Sequence, residues 1–170
     1  CVVSAGMQAA MMAPTEILAA QHFTSLSSLL EPAGIRVALL TGSVKAAEKR
    51  KLYASLEAGE IDLIIGTHAL LSEGVAFRDL GLVITDEQHR FGVGQRSALA
   101  QKGTSPHFLV MSATPIPRTL ALMMYGDLDI SVLDELPPGR QKIETYLIDS
   151  KKRARAFGFV QKHLDEGRQG

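Results

Sequence analysis

The stretch LVITDEQHRFG, residues 82–92, sets an apolar run directly against Asp86, Glu87, Gln88, His89 and Arg90. Two adjacent acids at the tip of a strand-like segment demand a reason. Successive side chains on a strand point to opposite sides, so both acids can serve one site only if the strand ends there and the chain turns. The plainer alternative is a pair of solvated acids capping the next helix.

The same kind of run recurs along the chain. MQAAMMA (7–13), IRVALLT (35–41), IDLIIGT (61–67) and FLVMSAT (108–114) are apolar at nearly every residue. That pattern suits strands covered on both faces. Between them lie helix-length segments. In PTEILAAQHFTSLSSLLEPAG, Thr15 is placed to cap a helix whose inner face carries Ala19, Phe23, Leu26 and Leu30, with Pro32 and Gly34 as the stop. In SVKAAEKRKLYASLEAGE, Ser43 is the expected cap, Leu52, Tyr53 and Leu56 the inner face, and Gly59 the end. Strand and helix in alternation imply an α/β fold with a parallel sheet. Ligands then bind beyond the carboxyl ends of the strands. Four runs end there in small or polar residues: Thr41-Gly42-Ser43, Gly66-Thr67-His68, Asp86-Glu87 and Ser112-Ala113-Thr114.

Bulk properties limit the alternatives. The chain has 170 residues, 46% hydrophobic and 21% charged, which is enough apolar surface for a real core. Lys+Arg and Asp+Glu both number 18, so no global field recruits nucleic acid or membrane, although a local basic face stays open. No apolar stretch approaches the ~18 residues of a membrane span, and the start lacks the features of a signal peptide. The lone cysteine, Cys1, excludes an internal disulfide and fits a reducing, cytoplasmic location. The first residue is not Met, and the chain reads as cut from something longer, truncated at both ends. Near DELPPGRQ (134–141), Pro137-Pro138-Gly139 reads as a linker. KIETYLID beyond it is strand-like, and SKKRARAFGFVQKHLDEG is helix-like with Phe157, Val160 and Leu164 at helical spacing. One strand and one helix make too little for a core. Residues 1–136 are therefore expected as one lobe, 137–141 as a linker and 142–170 as the opening of a second.

An acid after four apolar residues on a central strand is the Walker B pattern, in which Asp86 holds Mg²⁺ through water and Glu87 orients or deprotonates the attacking water. With MSATPIPRTL (111–120) and YGDLDISVLDELPPGR (125–140), DEQHRFGVGQR (86–96) resembles superfamily 2 helicases of the RecG branch. MAPTEILAAQH (12–22) resembles motif Ia, and the likeness covers essentially the whole chain. It implies a RecA-like (P-loop NTPase-type) parallel sheet with helices on both faces. It also implies ATP and Mg²⁺ as cofactors, forked or four-way DNA as partner, and contact with a second motor lobe of the same chain. Residue by residue, it implies Asp86 as the Mg²⁺-organising acid, Glu87 as the base, and Gln88 and His89 as nucleotide sensors. Thr15, Gln21, Thr41, Gly42, Ser43, Gly66, Thr67 and His68 match the nucleic-acid-binding loops. Ser112 and Thr114 match the motif that couples hydrolysis to DNA. Arg118 follows that motif without an assigned role.

No G-x-x-x-x-G-K-[ST] phosphate cradle occurs in the 170 residues, and the family's arginine finger belongs to the second lobe. The segment by itself is therefore expected to be inactive as an ATPase. The competing readings are a transcription-repair coupling translocase, against which 125–140 argues, and a non-catalytic binding module. A zinc site at Asp86, Glu87 and His89 is disfavoured by their spacing. His22 reads as a packing or surface residue. Lys49-Arg50-Lys51 and Lys151-Lys152-Arg153 read as solvated helix faces.

Overall fold

The computed structural model describes residues 1–86, 98–99, 101–112, 129, 131–135, 137, 139 and 143–168. Two compact units emerge, Cys1–Ala121 and Leu122–Gly170.

In the first unit the expected alternation forms β1 (Gln8–Met12), α1 (Glu16–Leu30), β2 (Val37–Leu40), α2 (Ala46–Glu57), β3 (Leu63–Gly66), β4 (Leu80–Thr85) and β5 (His107–Val110). The sheet order is β2-β3-β1-β4-β5, and every pairing is parallel. β1 and β3 are buried at every residue, as their unbroken apolar runs require. The outermost described strands depart from that expectation. In β5, His107 and Leu109 are exposed while Phe108 and Val110 are partly covered, because an outer strand has a neighbour on one side only.

The order dictates which face each connection covers. β1 to β2 steps one way across the sheet, whereas β2 to β3 and β3 to β4 step the other way. Right-handed crossovers must then lie on opposite faces. α1 accordingly packs Leu18, Ala19, Phe23, Leu26 and Leu30 against Ala9, Met11, Leu63 and Ile65. α2 packs Leu52, Tyr53 and Leu56 on the other face, with Leu70, Val75 and Leu99, against Ala10, Met12, Ile64 and Val83.

Local chemistry sets the helix ends. Thr15 Oγ1 accepts from the Leu18 amide (3.3 Å), the capping bond expected of it. Glu31–Ala33 tighten into a 3₁₀ turn carrying Pro32. Ser43 does not cap α2. The N-cap is Lys45, with no side-chain bond, and the Ser43 hydroxyl instead lies 2.9 Å from Thr41 Oγ1. Gly59, at φ 75°, takes the left-handed conformation that closes the helix. Gly66 is required for a different reason: a Cβ there would come within 2.2 Å of the Leu40 carbonyl oxygen on β2.

The amino edge of the sheet is tied by side chains. The buried Gln8 donates to the carbonyls of Leu56 (2.9 Å) and Ile61 (2.7 Å) and accepts from the amides of Arg78 (2.8 Å) and Asp79 (3.2 Å). One amide thus closes the end of α2 and the entries to β3 and β4. Arg36 grips Asp62 through two bonds of 2.7 and 2.9 Å, joining the entries to β2 and β3. That grip holds the Asp62 carboxyl below the ordinary carboxylate range. Lys102 Nζ donates to the carbonyls of Ser72 and Val75, both at 2.8 Å, and its partial burial lowers its pKa.

In the second unit, Asp149 caps a short 3₁₀ turn (Ser150–Lys152) that leads into α3 (Arg153–Asp165). The helix is as expected; the strand is not. Residues 143–149 form no strand among the described residues, and Ile143, Tyr146 and Leu147 are exposed. An extended segment needs a neighbour to satisfy its backbone. Phe157, Val160 and Leu164 are also exposed, in keeping with too short a stretch for a core.

Two substitutions test the polar accounting, with opposite signs. Gln8→Leu leaves the Ile61 carbonyl and the Arg78 and Asp79 amides without their partner, while the Leu56 carbonyl keeps the Gly59 amide (3.1 Å), and should cost about 3 kcal/mol, at about 1–3 kcal/mol for each unsatisfied group. Thr85 is fully buried and its hydroxyl has no partner. Thr85→Val should therefore stabilise the fold by about 1 kcal/mol. Denaturant midpoints at constant slope read both.

Candidate active site

Parallel register brings the ends of all five strands to one edge. Thr15 follows β1, Thr41 follows β2, Thr67 follows β3, Asp86 follows β4 and Ser112 follows β5. The chain leaves β1 toward the face that α1 covers, and leaves its neighbour β3 toward the other, where Ala69, Leu70 and Val75 pack. The crevice expected where connections diverge therefore flanks β1, between Pro14-Thr15, Thr67-His68 and Asp86.

Asp86 is pinned there twice. Its amide donates to the Met12 carbonyl (3.0 Å), continuing the β1–β4 ladder by one residue. Its Oδ2 lies 2.7 Å from His22 Nε2. An ionised carboxylate only accepts, so Nε2 carries the proton in this contact. Side-chain exposures of 29% for His22 and 19% for Asp86 leave the pair sheltered yet reachable. His22 is thus neither a plain packing residue nor a plain surface residue, and the sequence reading missed it. The available signal was its spacing: His22 stands three residues after Ala19 and one before Phe23, both turned toward the sheet.

A second cluster joins two of the polar loops. Glu16, in the first turn of α1, accepts from the Ser43 amide (3.1 Å). Hydrogen bonding from the Ser43 side chain is the main reason that the Glu16 carboxyl titrates below its ordinary range. Desolvation opposes this, and the Ser43 and Gly42 amides and the charge of His68 reinforce it. Lys49 Nζ reaches back to the Gly42 carbonyl (3.0 Å), so this lysine braces the loop rather than merely facing solvent. Gly42, Ser43 and His68 are exposed at this edge, whereas Thr41 and Thr67 are buried. Thr41 meets Ser43, and the Thr67 hydroxyl has no partner. Gln21 lies on the solvent-facing strip of α1 with Ile17, Ala20, Thr24 and Ser25, away from the His22 side. Ser112 is exposed just beyond β5. Glu87, Gln88, His89, Thr114 and Arg118 lie outside the described residues.

Among the described residues, no three His, Cys, Asp or Glu side chains gather as a metal cage. One fixed carboxylate on an accessible edge does not suit zinc, which needs three or four protein ligands. It does suit Mg²⁺, which keeps most of its waters and takes one or two carboxylates together with phosphate oxygens. Among the described residues no helix is long and apolar enough to cross a membrane.

Comparison with known proteins agrees with this geometry. The family model for DEAD/DEAH box helicases matches residues 2–123. The ATP-dependent DNA helicase RecG of Bacillus subtilis is 54% identical over 167 residues, which is 98% of this chain and 24% of that protein. RecG of Thermotoga maritima is 50% identical over 165 residues, 97% of this chain and 21% of that protein. The solved structure of RecG bound to a three-way DNA junction superposes with a TM-score of 0.80 at 47% identity, covering 95% of this chain and 22% of that one. The chain thus spans about a quarter of the length of the curated relatives it matches. A mycobacterial Lhr helicase, at 22% identity and a TM-score of 0.53, shares the fold. The RecA-like parallel sheet is the one that the resemblance implied, and the chain belongs to the DEAD/DEAH box helicase family, with its likeness to the RecG branch running along nearly its whole length.

Proposed function

We propose that this chain is the motor segment of an ATP-dependent DNA helicase of the RecG type, which hydrolyses ATP with Mg²⁺ to move on DNA and remodel forked or four-way junctions. In this reading residues 1–136 are the first RecA-like lobe, 137–141 a linker and 142–170 the start of the second lobe, and the protein works in the cytoplasm. The carrying observation is Asp86, held at the carboxyl edge of the parallel sheet where the connections around β1 diverge.

Asp86 would hold the metal through its water shell. When bound, the ion would supply positive charge against the nucleotide phosphates. Glu87, next in the chain, takes the proton of the attacking water, while Gln88 and His89 sense the nucleotide. Thr15, Gln21, Thr41, Gly42, Ser43, Gly66, Thr67 and His68 supply hydroxyl, amide and backbone groups to DNA phosphates. Thr41 and Thr67 are buried, and the Thr67 amide already donates to the Leu40 carbonyl (3.3 Å), so Ser43 and His68 are the exposed side chains of these two loops that would meet a phosphate first. Such contacts position a strand without reading its bases, and small donors release it easily. Ser112 and Thr114 link hydrolysis to that grip.

In the full-length protein, Glu87→Gln should keep nucleotide binding while hydrolysis falls about 10²–10⁴-fold. Unchanged turnover in a coupled ATPase assay would remove Glu87 as the base. Contact with about three phosphates of a single strand predicts a log–log salt slope of roughly −2 for binding by this lobe. A titration that is flat from low to moderate salt would count against the phosphate-tracking role.

A further inference from the structure

The contact between His22 and Asp86 links an element of the predicted DNA-binding surface to the predicted metal acid. Asp86 has its backbone fixed by the bond from its amide to Met12 O. That bond does not fix its side chain, which stands one residue past the last register position of β4 beside an open edge. A carboxylate there could turn to several rotamers, and only some direct an oxygen into the crevice flanking β1. The 2.7 Å bond from His22 Nε2 takes Oδ2 and selects one orientation. An ionised carboxylate has about four acceptor positions on two oxygens, so engaging Oδ2 leaves acceptor capacity for a hydrated cation.

The imidazole is itself held. His22 lies in α1 between Ala19, fully buried against the sheet, and Phe23, packed in the same cluster. At about 1.5 Å per residue, His22 stands about 9 Å along α1 from Glu16, which is bonded to the Ser43 loop. One rigid helix thus carries a polar attachment at each of these two places.

Resting on the function proposed above, we propose that His22 is a positioning residue for the metal–nucleotide site: its Nε2–H orients the Asp86 carboxylate for the hydrated cation without itself touching metal or nucleotide. Groups that orient metal-binding side chains in this way are typically worth about 10–100-fold in metal affinity. A mere fold staple would change stability and leave the metal affinity of the folded protein alone.

The test is Mn²⁺ binding, followed by electron paramagnetic resonance, to the full-length protein saturated with a non-hydrolysable ATP analogue. The terminal amide of Gln reaches about as far from the backbone as Nε2, and that of Asn only as far as Nδ1. His22→Ala and His22→Asn should therefore each weaken Mn²⁺ binding about tenfold or more, and His22→Gln should restore it to within about threefold. Thermal melts of the same samples confirm that each variant is folded. Wild-type affinity in all three variants overturns the proposal. So does equal weakening in all three, because donation from the Nε2 position would then not be what matters. Asp86→Asn, measured in parallel, separates the two levels. If it loses Mn²⁺ while the His22 series is flat, only the role of His22 fails. If it binds Mn²⁺ as wild type does, Asp86 is not the metal acid and both readings fall.

Discussion

Everything at the candidate site follows from β1 being paired in parallel on both sides, with β3 and β4. Parallel neighbours cannot be joined by tight turns, so each connection must return the chain across a face of the sheet. Those returns put α1 on one face and α2 on the other, and they bury β1 completely. They also deliver every strand end to one edge. Gly66 belongs to the same constraint, because β3 approaches the Leu40 carbonyl too closely for any side chain.

The two edges of the sheet are built differently. At the amino edge, Gln8 uses two donor and two acceptor positions on backbone groups of two connections, β2 to β3 and β3 to β4, and the Arg36 side chain closes on Asp62 through two bonds. Such contacts are made once, on folding. The carboxyl edge carries hydroxyls, glycines and single bonds between loops, such as Glu16 with Ser43 and Lys49 with Gly42. Buried hydroxyls at Thr67 and Thr85 even lack partners. Stability concentrates at one edge and exchangeable contacts at the other, as is expected when ligand-handling regions are drawn from the less stable parts of a fold.

Period and punctuation made much of this legible. Unbroken apolar runs marked β1 and β3, the spacing of Ala19, Phe23, Leu26 and Leu30 marked the buried side of α1, and Thr15 marked its start. The acid after an apolar strand marked Asp86. What escaped was contact between residues far apart in the chain. Nothing local distinguishes Gln8 from a solvated glutamine, and its partners lie up to 71 residues away. His22 and Asp86 are 64 residues apart and meet only because α1 and β4 share a face. Ser43 is a reasonable cap by type, and it failed as one because Thr41 and Glu16 already engage it. Residues 143–149 have a strand's composition, but composition cannot supply the neighbouring strand.

The acid in the first turn of α1 bears on how firmly this edge could hold an anion. A helix N-terminus favours negative charge, and backbone amides pointing outward are the usual donors to phosphate. Here Thr15 caps the helix end, and Glu16 adds a negative charge in its first turn and already takes the Ser43 amide. On the proposed function, a DNA phosphate reaching that amide must displace or share with a carboxylate, so its net gain is a difference between two similar interactions. A motor that releases its track in every cycle needs a grip whose loss costs little. The same substitution of one anion for another would release the Glu16 side chain, which springs from the first turn of the helix whose second turn holds Asp86 through His22. The geometry therefore relates the strength of the grip and the orientation of the metal acid to one element, α1, rather than to two independent parts of the lobe.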